Sequence, residues 1–124
     1  MTAEPWPTEI RLLDNGHNLR ISFDDGASFT TSAELLRVRS PSAEVQGHSP
    51  ADQKTVGGKR NVAIIGVAPV GNYAIRLDFD DLHKTGIYTW RYLRELGETA
   101  EASFAAYLRE LAAKGLDRDR PGEA

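Results

Sequence analysis

The sequence predicts an α+β domain: a small antiparallel sheet of about five strands packed by C-terminal helices. Three observations carry this. Apolar and polar residues alternate in short runs over the first third of the chain and again between Val62 and Phe79, as half-buried strands require. The dipeptides Asn15-Gly16 and Asp25-Gly26 punctuate the first runs and supply the positive φ angles of tight hairpins. Beyond Thr99 the pattern changes to an apolar stripe at helical spacing.

Ile10 and Leu12, then Leu19, Ile21 and Phe23, mark three antiparallel strands ending near Thr31. Ser32 is placed to cap a short helix carrying Leu35, Leu36 and Val38. From Arg39 to Asn61 the chain is polar and rich in turn formers, which reads as a long loop, a feature often either functional or mobile. A second hairpin follows, formed by Val62–Val67 and Tyr73–Phe79 and joined through Pro69-Val70-Gly71-Asn72. In its second strand Ile75, Leu77 and Phe79 share one face while Arg76 and Asp78 take the other. Ile87, Trp90, Leu93 and Leu96 suggest a short helix with Gly97 as its C-terminal cap. The last helix opens at Thr99, buries Phe104, Tyr107, Leu108 and Leu111, keeps Glu101 near its positive end and stops near Lys114-Gly115. Domain organisation is accordingly a flexible start over residues 1–5, a single domain over 6–115 and a flexible charged tail over 116–124.

At 124 residues the chain has room for a single core, and its 40% hydrophobic and 27% charged residues are those of a folded protein. A net charge of −3 gives no global pull toward nucleic acid or anionic lipid. Without cysteine there is no disulfide and no thiolate metal site. The opening MTAEPWPTEI lacks the basic and apolar regions of a signal peptide, and the apolar stretch Val62–Val70 is too short to span a bilayer. A cytoplasmic protein is expected, with no membrane and no nucleic-acid partner.

Among the histidines, His17 follows a hairpin turn and reads as an exposed spectator. His48 lies in the long loop, and His83 ends Asp80-Asp81-Leu82-His83 at a strand-to-helix junction. His83, His48 and Asp81 have the donor atoms for a borderline metal such as zinc or iron. The plainer alternative is that the aspartates end the strand and His83 makes one bond to loop backbone. Gly57-Gly58-Lys59-Arg60 offers exposed N–H groups and cations, so Lys59 and Arg60 are candidate contacts for an anion or a partner. The phosphate-loop pattern fails, because Gln53 stands at the first glycine position and Arg60 follows the lysine. No Ser sits in a G-x-S-x-G context and no acid–base pair stands out, so no catalytic residue is assigned. Tyr88, Trp90, Arg91, Tyr92 and Arg94 mix aromatic and basic groups, but Glu95 and the stripe position of Trp90 favour core plus solvated face over base stacking.

The segments LLRVRSPSAEVQGH, GGKRNVAIIGVAPVGNYAIRLDFDDLHKTGIYTWRYLREL and WPTEIRLL resemble the DUF971 family, the gamma-butyrobetaine hydroxylase-like N-terminal domain, over roughly residues 6 to 110. In the hydroxylases, the resemblance implies, this domain precedes a separate Fe(II)- and 2-oxoglutarate-dependent catalytic domain and binds structural zinc through three cysteines and one histidine. The histidine falls on His83 and the cysteines on Ser40, Ser42 and Val45, so the zinc set is lost at three of its positions. The resemblance further places the Ser40–His48 loop against His83, where His48 could replace part of the ligation. A similar domain is appended to some P-loop ATPases of iron–sulfur cluster assembly, which implies an accessory role. The expected function is a non-enzymatic binding module docking to a protein partner, of iron–sulfur assembly or a 2-oxoglutarate oxygenase. A labile zinc or iron protein using His83 and His48 is the alternative. No iron triad is present: neither His17 nor His48 has an acidic residue two positions on, and Thr85 follows His83 at that spacing.

Overall fold

A computed structural model describes residues 6–41, 55–83 and 86–119. The order of elements is β1 (Pro7–Leu13), a 3-10 turn at Asp14–Gly16, β2 (Asn18–Phe23), β3 (Ser28–Ser32), α1 (Ala33–Val38), β4 (Ile64–Val70), β5 (Ala74–Phe79), β6 (Gly86–Thr89), α2 (Trp90–Glu98) and α3 (Ala100–Ala113). The α+β class is as expected, but the single five-stranded sheet is corrected. The described strands form two three-stranded antiparallel sheets, β1-β2-β3 and β4-β5-β6. Alternation specifies which face of a hairpin is dry, not whether two hairpins join edge to edge. The extra strand, β6, is only four residues long, with Gly86 and Tyr88 buried and Ile87 and Thr89 exposed. Its Ile87 therefore belongs to a strand rather than to the expected helical stripe, and Thr89 caps α2 by accepting from the Tyr92 N–H.

One core receives the inward side chains of both sheets: Leu19, Ile21 and Phe23 from β2, and Ile75, Leu77 and Phe79 from β5. Leu35, Leu36 and Val38 of α1 join it beneath the Ser32 cap, whose hydroxyl accepts the Leu35 N–H at 3.1 Å. Leu93 and Leu96 of α2 and Tyr107 and Leu111 of α3 complete it, whereas Leu108, expected on the stripe, stands 41% exposed.

Gly97 is not a helix cap but an interior residue of α2, and it is there for close approach. A Cβ at this position would come within 2.7 Å of the Phe29 ring of β3. Arg94 reinforces the same contact: its guanidinium lies over Phe23 and Phe29, 5.2 and 5.4 Å from their centroids, and reaches Asp25 at 2.9 Å and Glu98 at 3.1 Å. After α3 the Leu116 N–H closes the helix on the Leu111 carbonyl at 2.8 Å. Residues 117–119, expected in a tail, run beside the Gly58–Arg60 segment: Gly58 donates to Asp117 O and Arg60 to Arg118 O. Arg118 then grips Glu34 with two bonds, of 2.8 and 2.6 Å.

Replacing Gly97 by Ala separates the two roles. Helix propensity alone would raise stability by up to about 1 kcal/mol, but the collision with Phe29 is expected to lower it by roughly 1–3 kcal/mol. Urea unfolding of G97A checks the sign; a more stable variant would mean that α2 and β3 are not in close contact.

Candidate functional site: a polar node at the Asp80–His83 turn

Strand β5 ends in a tight turn. The Phe79 N–H donates to the His83 carbonyl at 3.0 Å and the Leu82 N–H to the Phe79 carbonyl at 3.0 Å, which folds Asp81 and His83 back toward α1. Asp81 then collects three donors. Its Oδ1 accepts the His83 N–H at 3.1 Å, and its Oδ2 accepts Arg37 Nε at 2.7 Å and Lys59 Nζ at 2.6 Å. Burial works to raise the Asp81 carboxyl, but Lys59, the His83 N–H and Arg37 together outweigh it and hold it below the usual carboxylate range.

His83 turns inward and is 5% exposed, its ring tilted against Phe79 with centroids 6.1 Å apart. Its Nε2 lies 3.0 Å from the Oγ of Ser40, itself wholly buried one residue beyond Arg39. The Tyr88 hydroxyl donates to the Leu36 carbonyl and the Tyr92 hydroxyl to the Arg39 carbonyl, so α1 and its exit are pinned by two phenols. Burial raises the Tyr88 phenol well above its ordinary value and pushes Tyr107 up to about 12, so both stay neutral donors. Next to the node lies a polar cleft of about 210 Å³ lined by Lys59, Asn61, Asp80, Asp81, Arg118 and Asp119.

Three of the residues singled out by sequence thus sit as follows. His83, Asp81 and Lys59 come together. Arg60 pairs with Asp119 at the edge of that cleft, and His17 is exposed, its Nδ1 2.7 Å from the Asp14 carbonyl. His48, Ser42 and Val45 lie outside the described residues. Ser40 does stand against His83, in keeping with the neighbourhood implied for positions 40 and 83. Arg37 was missed. Its partner is 44 residues away, and a basic residue near the end of a predicted helix carries no signal beyond the helix dipole.

The described residues do not fit a metal ion. No group of three His, Asp or Glu side chains converges among them. The His83 Nε2 faces a hydroxyl, and the Asp81 carboxylate already holds two cations, which would repel a third.

The fold and node together define a small α+β domain whose polar centre is tied up in internal hydrogen bonds and ion pairs. The chain belongs to the family described as gamma-butyrobetaine hydroxylase-like, N-terminal, whose profile matches residues 10–94. It is similar to two proteins solved by NMR: at 43% identity with a TM-score of 0.82 over 98% of this chain and 95% of the other, and at 42% with 0.81 over 100% and 95%. A crystal structure of a protein of unknown function from Acidithiobacillus ferrooxidans ATCC 23270, belonging to the DUF971 family, is 40% identical with a TM-score of 0.62, covering 73% of this chain and 91% of that one. No curated protein matches.

The ionised Asp81 makes a signed prediction. A carboxyl held below its unfolded value of about 3.9 contributes stability that is present above that pH and lost as pH falls through the native value. Asp81→Asn is expected to cost roughly 2–4 kcal/mol at neutral pH, because Lys59 and Arg37 lose their counter-ion. The gap to wild type should narrow between about pH 5 and pH 3. Urea titrations across that range check it; a gap independent of pH would mean that Asp81 is not the ionised hub.

Proposed function

We propose that this domain is a non-enzymatic accessory module that docks to a protein partner through the surface around the Asp80–His83 turn. The observation that carries the reading is the internal engagement of every reactive group at the node. Ser40 and His83 are buried against each other, and Asp81 is neutralised by Arg37 and Lys59. Such groups position a surface and leave no free nucleophile, base or ligand to act on a substrate. The adjoining cleft, walled by both signs of charge, is of a kind that binds polar protein surface. The family's name and the resemblance set out above direct the search first to 2-oxoglutarate oxygenases and to iron–sulfur assembly proteins, and the workplace proposed is the cytoplasm. Among the described residues no helix is long and apolar enough to cross a membrane.

The expected result is one stoichiometric protein partner recovered with the tagged chain at native expression level and reconstituted from purified components. Recovery of none counts against docking. In parallel, Zn²⁺ and anaerobic Fe²⁺ are titrated into the protein while the imidazole NMR signals are followed. Saturable, selective shifts of His83 and His48 would replace docking by a labile metal site. Signals that stay put leave docking in place.

A further inference from the structure

The two halves of the described chain are built to one plan. β1-β2-β3-α1, over residues 7–38, and β4-β5-β6-α2, over residues 64–98, are each a three-stranded antiparallel meander whose last strand runs straight into a helix. The likeness extends to single bonds. Each first strand carries a register shift opposite the end of the second, between Pro7 and Glu9 against Phe23 and between Ile64 and Gly66 against Phe79. The residue after that phenylalanine donates back to the one preceding the first strand, Asp24 to Trp6 O and Asp80 to Ala63 O, both at 2.9 Å. The turns Phe23–Ala27 and Phe79–His83 close with the same three bonds and hold their fourth residues, Gly26 and Leu82, at φ +88° and +72°. Each helix starts from a residue bonded to the one before the second strand, Ala33 to His17 O and Trp90 to Tyr73 O, and is capped by Ser32 or Thr89. The sequence agrees, with Leu19-Arg20-Ile21-Ser22-Phe23-Asp24-Asp25 against Ile75-Arg76-Leu77-Asp78-Phe79-Asp80-Asp81 and Leu36-Arg37 against Leu93-Arg94. Local rules account for a hairpin or a cap taken singly, not for the whole set recurring in one order.

The contacts that cross from one unit to the other are reciprocal. The turn aspartate of each is held by the helix arginine of its mate: Asp25 by Arg94 at 2.9 Å, and Asp81 by Arg37 at 2.7 Å. Both arginines leave the same atom, Nη1, buried without a hydrogen-bond partner. Beside each clamp a second contact recurs with the sizes exchanged. Past Arg94, Gly97 admits the Phe29 ring of β3, which a Cβ would approach to 2.7 Å; at the same step past Arg37, Ser40 packs on Gly86 of β6, where a Cβ would lie 2.8 Å from its Oγ. When two surfaces meet once, and meet again with the units exchanged, the relation between the units is a two-fold axis, as in an isologous dimer.

We propose that this domain is a dimer carried in one chain: two β-β-β-α repeats docked about a pseudo-two-fold axis, so that the partner each unit's surface fits is a second copy of the unit. The Asp25–Arg94 and Asp81–Arg37 pairs are the two ends of one interface. The copies diverge at the candidate site. The counterparts of Ser40 and His83 are Gly97 and Ala27, which can form no such side-chain bond, and the first turn closes without an imidazole. The frame of the corner therefore belongs to the joining of the units, and the Ser40–His83 pair is what the second copy carries in addition.

Residual dipolar couplings of the backbone amides test this on the full wild-type chain. Measured in two alignment media and fitted separately to the two units, they are expected to relate the units by a rotation of about 180°. A rotation far from that, as in a head-to-tail arrangement, overturns the proposal. Double-mutant cycles followed by urea unfolding supply the energetic readout. Midpoint shifts should be non-additive for Asp25→Asn with Arg94→Met and for Asp81→Asn with Arg37→Met, and additive for the within-unit combinations D25N with R37M and D81N with R94M. Coupling inside the units, or its absence from either clamp, would show that the interface is not reciprocal.

Discussion

Asp81 sits where three stretches of chain meet, and most of the arrangement around it depends on its carboxylate being ionised and shared. Arg37 comes from α1, which follows the first sheet; Lys59 comes from the segment that leads into the second; the His83 N–H comes from the turn that Asp81 itself begins. One carboxylate thereby joins the end of the first sheet's connection to the end of the second sheet's central strand. Mostly buried ion pairs are poor sources of net stability, yet removing one member is costly because it leaves the others charged and without water. The Ser40–His83 pair extends the same logic one layer inward, where a hydroxyl and an imidazole satisfy each other in a site closed to solvent.

The legible part of the fold was the part written in local period. The first three strands, the Ser32 cap and the dry face of Ile75, Leu77 and Phe79 follow from alternation and capping chemistry alone. What escaped was non-local or short. Strand β6 spans four residues, and Ile87, Trp90 and Leu93 happen to fall at helical spacing, so a strand and a helix start share one ambiguous pattern. Gly97 looked like a stop signal because a glycine near a helix end is commonly a cap; only the position of Phe29 across the interface shows that space, not chain reversal, is what it supplies. The candidate site was half legible. The conjunction of Asp81 and His83 was visible as a local cluster, Ser40 came beside His83 only through the family resemblance and Lys59 was singled out without its partner, whereas Arg37 reaches Asp81 across 44 residues, a distance at which no periodicity operates.

Membership of the gamma-butyrobetaine hydroxylase-like N-terminal family rests on a match over residues 10–94 and on solved relatives of 40–43% identity. Within it this chain holds its corner by hydrogen bonding among Ser40, His83 and Asp81.

The bidentate grip of Arg118 on Glu34 bears on where the working length of this domain stops. Glu34 lies in the first turn of α1 at 4% exposure, and its carboxylate is answered by a residue beyond the last helix. A fragment cut after α3 would retain every helix and strand yet strand an acid in the interior, so a recombinant or fusion boundary drawn by secondary structure would fall several residues too early. Charge pairing thus carries the domain past α3 to Arg118 at least.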